Sequence, residues 1–153
     1  MLEATDPVGD EEVLYRSVRA GRNLVVMDEG ECRASSSAFF DRGGEPSVDR
    51  AALLGNDPAR ARFSGTDAVL QLTAEDVRNA RVTSVIAEEG KKKTEKTSSA
   101  DVIPDPRPDD EPPRPAHALI KLVPHAETSN SLKKLYSYLA RKSVWALQPS
   151  ECN

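Results

Sequence analysis

Six of the chain's 11 prolines fall between Pro104 and Pro115. Proline fixes its own φ and offers no backbone N–H, so neither a helix nor a central strand can run through that stretch. The segment is read as an extended or polyproline path over the surface, and regular structure must be assembled from the blocks on either side. A chain of 153 residues is one domain by length and long enough to bury a core. The expected class is α+β: a single domain over 12–149 with a mixed, mostly antiparallel sheet, two or three helices and a C-terminal amphipathic helix. Residues 1–11, polar and acidic, are expected to be a disordered lead-in, and 150–153 a polar tail.

Upstream of the prolines, Val13–Val18 is β-branched and aromatic enough for a first strand. Its alternation puts Val13, Tyr15 and Ser17 on one face and Leu14, Arg16 and Val18 on the other. Arg16 thus shares a face with apolar neighbours, either as a rim residue with a snorkelling stem or as a site arginine. Gly21–Asn23 reads as a turn, and Leu24–Met27 as a short strand. Ser35–Phe40 reads as an extended segment carrying an aromatic into the core, and Gly43–Pro46 as a turn. Ser47 is placed to cap a helix over Val48–Leu54 by accepting the N–H of residue 50. Asp49 in its first turn favours the helix dipole, and Gly55 closes it. Pro58–Arg62 opens on proline, as a helical turn does. Ala68–Leu72 is a strand, Thr73 and Asp76 have capping-box spacing for a helix to Asn79 or Ala80, and Val82–Ile86 is the next strand.

From 88 to 100 the chain is rich in Lys, Glu, Thr and Ser, the composition of a mobile charged loop or hairpin tip. Val102 and Ile103 mark a brief ordered return. Beyond the prolines, Ala116–Val123 is the clearest strand: Ala116, Ala118, Ile120 and Leu122 line one face, and His117, Leu119, Lys121 and Val123 the other. Ser131–Lys142 is an amphipathic helix with Leu132, Leu135, Tyr136 and Leu139 as its stripe. Val144–Leu147 is a last strand.

A net charge of −4 argues against general nucleic-acid binding, which needs a basic field. No apolar run reaches the roughly 20 residues of a membrane span, and the acidic N-terminus is unlike a signal peptide. Two cysteines, Cys32 and Cys152, form neither a disulfide framework nor a metal-binding pair by spacing. A reducing, cytoplasmic setting is the expectation, with no membrane partner. Phosphate-binding loops, nucleophile elbows and zinc motifs are missing, and the two histidines, His117 and His125, cannot make a His-rich metal site. The Asp105, Asp109, Asp110 and Glu111 cluster lacks the glycine turn of a calcium loop, so no metal is expected.

The densest polar stretch is Arg33–Arg50, with three consecutive serines, two adjacent aromatics and a Gly-Gly-x-Pro turn. The serines serve either to satisfy backbone groups or to line a site. His117 is either a rim histidine or a base or phosphate donor beside Lys121. The candidate pocket is Arg16, Ser36, Asp49 and His117, with Arg33, Arg50 and Lys121 as candidate ligand-binding residues.

Ser35-Ser-Ser-Ala-Phe39, Ser47-Val-Asp49, Asp105-Pro with Pro115-Ala-His-Ala118, Leu14-Tyr-Arg16 and Leu139–Trp145 together resemble an uncharacterised family of small bacterial proteins. The resemblance runs along nearly the whole chain and departs from the family at 88–99 and before His117. Tyr15-Arg16 followed by a serine-rich segment ending in an aromatic is also similar to ADP-ribosyltransferase folds. That second resemblance implies Arg16 on the NAD phosphates and the serines beside the nicotinamide. Glu127 or His117 would then stand for the remaining catalytic group. The leading expectation is a bacterial cytosolic accessory protein without a cofactor that binds another protein, encoded beside a defence, toxin or mobile-element system. The alternatives are an ADP-ribosyltransferase-like, NAD-using enzyme, or a domain binding a nucleotide or small ligand.

Overall fold

A computed structural model describes residues 1–19, 24–86, 90, 92–124 and 129–152. Nine strands and two α-helices are described: β1 (Val13–Val18), β2 (Val25–Asp28), β3 (Glu31–Ala34), β4 (Ser47–Arg50), β5 (Ala68–Thr73), α1 (Ala74–Arg78), β6 (Arg81–Ile86), β7 (Thr94–Pro104), β8 (His117–Val123), α2 (Ser129–Lys142) and β9 (Val144–Leu147). Seven strands form one curled antiparallel sheet in the order β6-β7-β8-β4-β1-β5-β9, while β2 and β3 make a separate hairpin. The α+β class therefore holds.

Period-two alternation decides the two faces of the sheet. Leu14 and Val18 of β1, Val48 of β4, Leu70 and Leu72 of β5, Val102 of β7 and Ile120 of β8 point into one core. Phe39, Val77, Leu135 and Leu139 pack against them. The outer face carries a smaller cluster of Tyr15, Val69, Ala51 and Ala61. It is covered by 3-10 turns at Ala51–Leu54 and Pro58–Ala61. Thr73 and Asp76 complete the expected capping box of α1. No helix among the described residues is long and apolar enough to cross a membrane.

Several expectations are corrected. Ser47–Arg50 is a strand, not the start of a helix capped by Ser47: it pairs with β1 on one side and β8 on the other. Two strand ladders in the middle of a sheet outweigh a local capping signal worth about 1 kcal/mol. Only the 3-10 turn at Ala51–Leu54 remains helical, closed by Gly55 at φ 64. Ser36–Phe39 is a 3-10 turn rather than extended. Thr94–Ala100 is part of the 11-residue β7, not a loop; its polar residues read as a loop because this end pairs with an edge strand and lies in solvent. The remainder of that expected loop includes 88, 89 and 91, which lie outside the described residues, as do the turn at Gly21–Asn23, His125 and Glu127.

The lead-in is ordered. Val8 is buried, Ala74 and Glu75 donate their N–H groups to the carbonyls of Glu12 and Asp10, and Arg78 donates to the carbonyl of Val8. Its composition looks disordered because it packs mainly through backbone carbonyls. β2 and β3 are joined through Glu29 and Gly30, both at positive φ, the pattern of a tight hairpin. The cysteines, expected to be reduced, are bonded: Cys32 on β3 joins Cys152 in a 3-10 turn, Ser150–Cys152, with Cα atoms 5.6 Å apart.

Candidate functional site

The four pocket candidates do not converge. Arg16 on β1 faces inward and binds backbone. Its Nε donates to the carbonyl of Ala38 at 3.0 Å, Nη1 to Ser47 at 2.8 Å and Nη2 to Phe40 at 3.0 Å. Its guanidinium also lies over the Phe39 ring. Burial lowers its pKa, opposed by Asp41 and Tyr136. Arg16 thus clamps the serine-rich turn onto the sheet, and Ser36 is exposed on that turn. Asp49 and His117 lie opposite each other across β4 and β8, on the other face of the sheet.

His117 is 3% exposed, and its Nδ1 lies 2.9 Å from the carbonyl and 3.0 Å from the carboxylate of Asp105. Asp105 returns an N–H to the carbonyl of His117. The histidine therefore holds the entrance of the proline segment to the sheet. Arg50, a candidate ligand-binding residue, has no exposed surface. It makes two bonds to Glu12, at 2.9 and 2.8 Å, and others to the carbonyls of Ala4, Asp6 and Pro7. Arg33 pairs with Glu31 in solvent, and Lys121 with Glu45 at 3.3 Å. None of these three ligand-binding candidates sits with Asp49.

Two of the concavities among the described residues hold a pocket candidate, Asp49 in one and Ser36 in the other. One, of about 580 Å³, lies on the outer face between the Pro58–Ala61 turn and the proline segment, and includes Asp49, Leu54, Arg60, Arg62, Phe63 and residues 109–116. Reciprocal bonds between Arg107 and Arg114 close the tip of the proline segment over it. Arg114 reaches Asp49 at 3.4 Å and stacks 4.6 Å above the centre of the Phe63 ring. Burial raises the pKa of Asp49, and the charges of Arg114 and His117 oppose the shift.

The other concavity, of about 830 Å³, lies between the serine-rich turn and α2, and includes Leu24, Ser36, Ser37, Phe40, Leu132 and Tyr136. No group of three metal-ligating side chains occurs among the described residues. Sequence reasoning missed Phe63, Arg60, Arg62 and Arg114. Arg114 carries a faint local signal, a cation between Pro113 and Pro115; the others become neighbours of Asp49 only through the fold. No protein-family model, curated protein or solved structure matches the chain.

Proposed function

We propose that the chain is an accessory protein that binds a partner protein through the concavity between the serine-rich turn and α2. Phe40 carries this reading. The residue is 63% exposed, and its ring stands edge-on to Tyr136, 6.3 Å between centres, in a hollow also lined by Leu24 and Leu132. An exposed aromatic beside an apolar hollow is the usual anchor of a protein interface. Ser36 and Ser37 supply hydroxyls, and the lining carries two cations, Arg42 and Lys133, against one anion, Asp41, whose carboxylate accepts the N–H groups of Gly43 and Glu45. The partner segment that suits it carries an apolar side chain flanked by acidic residues. Arg16 would preorganise this surface through the carbonyls on either side of Phe39. The setting beside a defence, toxin or mobile-element system rests on the family resemblance alone.

Paired baits test the proposal: wild-type protein and Phe40→Asp, incubated with extract of the native cells. The expected outcome is a protein retained by the wild type and lost with the variant, whose stability stays within about 0.5 kcal/mol. Equal capture by both baits, or a monomer that retains nothing, overturns the reading.

The NAD-using alternative requires Arg16, Ser36 and His117 to share one ligand. Arg16 already donates from all three nitrogens and His117 belongs to the opposite face, so we rank it second. NAD cleavage or label transfer by the wild type, lost in Arg16→Ala, would restore it. The Cys32–Cys152 bond counts against the cytoplasmic expectation, and counting thiols in unfolded protein from native cells tests it. Two free thiols fit a reducing compartment; none fits the Cys32–Cys152 bond and an oxidising one.

A further inference from the structure

The outer cleft carries opposite charges that do not meet. Arg60 and Arg62 line it together with Asp110 and Glu111 of the proline segment. Arg62 gives its Nε to the carbonyl of Asp67. Among the described residues, the side chains of Arg60, Asp110 and Glu111 have no hydrogen-bond or ion-pair partner. Between them lies Asp49, 8% exposed, whose carboxylate receives one long bond from Arg114. An ionised carboxylate accepts about four hydrogen bonds, and the capacity Asp49 leaves unused opens on the cleft; among the described residues Ser35 Oγ, not an Asp49 oxygen, is the buried side-chain atom without a partner. Exposed charges without partners are ordinary. A nearly buried, under-bonded carboxylate opening on a cleft that carries both signs of charge is not.

We propose that this cleft binds a small zwitterion, a short peptide with free ends and an apolar side chain. Its ammonium group donates to Asp49 beside the acidic side chains, and its carboxylate meets Arg60 and Arg62. Its apolar side chain lies against Phe63 and Leu54. Ammonium and carboxylate together explain why neither rim sign dominates: a nucleotide or other polyanion would meet Asp49, Asp110 and Glu111. A volume of about 580 Å³ is in the range of small-molecule sites and leaves room for two or three residues. This site is independent of the Phe40 surface, so either proposal can fail without the other.

The test is an NMR titration of the full chain with dipeptides of apolar and aromatic residues, each in three forms: free, N-acetylated and C-terminally amidated. At least one free dipeptide is expected to bind with a Kd on the order of micromolar to millimolar. Either blocked form should bind roughly tenfold more weakly, as loss of one charge-assisted contact predicts. Arg60→Ala, at an exposed position, should weaken the free form by a similar factor while leaving the thermal midpoint unchanged, and Asp49→Asn should do the same to the ammonium contact. Three outcomes overturn the proposal: no dipeptide binds at millimolar concentration, all three forms bind equally, or Arg60→Ala binds as the wild type does. Destabilisation of the ligand-free protein by Arg60→Ala would also overturn it, because the rims would then be closing on each other.

Discussion

Asp49 and Arg50 are neighbours on one strand and face opposite sides of the sheet, and their surroundings could hardly differ more. Arg50 is fully buried, yet it donates to both oxygens of Glu12 and to three carbonyls of the lead-in. Asp49 has a single long contact. The first arrangement saturates a charge and closes one end of the curled sheet. The second leaves a charge short of partners at the floor of a cleft. In this chain polar satisfaction separates residues that hold the fold from residues available to something else. Arg16, which looked like a site residue, belongs with Arg50.

Breaking the saturated side should have the largest effect. Arg50→Ala leaves the Glu12 carboxylate and three carbonyls without their donor, and about 3–5 kcal/mol of stability should be lost, as for other buried pairs cut on one side. Urea unfolding measures this, and a loss under about 1 kcal/mol would mean that water replaces the guanidinium. Next comes the bond between Cys32 and Cys152, which are separated by 120 residues. Replacing both with Ser should cost about 2–4 kcal/mol by freeing the unfolded chain, while Arg50 and Asp49 keep their contacts.

Acid should move the two sides in opposite directions. Burial pushes the pKa of Glu12 up, but the hydrogen bond from Arg50, that from Gly9 and the charges of Arg50 and Arg78 bring it below its ordinary value of 4.5. Its contribution is present above that value and lost as pH falls through the lower, folded one. The pKa of Asp49 is raised above 3.8. Its protonated form is favoured by folding, so its contribution appears as pH falls and disappears as pH rises through the folded value. Asp49→Asn removes that partial offset, so the variant should lose stability more steeply in acid than the wild type. Glu12→Gln should be weaker at neutral pH and flatter in acid. The smallest expected effect is Asp49→Asn at neutral pH, within about 1 kcal/mol; a thermal scan showing a much larger loss would place Asp49 on the saturated side.

Much of the sheet was legible in the sequence, because β1 and β8 alternate and β5 is a short apolar run, buried on both faces. The capping box before α1 and the positive φ at Gly55 were legible too, both being local. What escaped depends on neighbours distant in sequence. Ser47-Val-Asp-Arg carries genuine helix-start chemistry, and only pairing with β1 and β8 makes it a strand. The lead-in has one buried apolar anchor, Val8, and otherwise packs through carbonyls that composition does not report. The cleft was invisible because Phe63, Arg114 and Asp49 meet only after β4 and β8 have paired.

The bond from Cys32 to Cys152 also changes the kind of object the chain is. Covalently it is a lariat: a ring closed from Cys32 to Cys152, and an arm formed by everything before Cys32. The arm carries β1, which lies between β4 and β5, two strands of the ring. An interior strand of the sheet is thus supplied by the free arm, held there by hydrogen bonds and packing. A protease cut within the ring, between β6 and β7, should leave one species on a non-reducing gel and two after reduction. A cut ahead of Cys32 should release the arm under either condition once the protein is denatured, and with it the strand that joins β4 to β5.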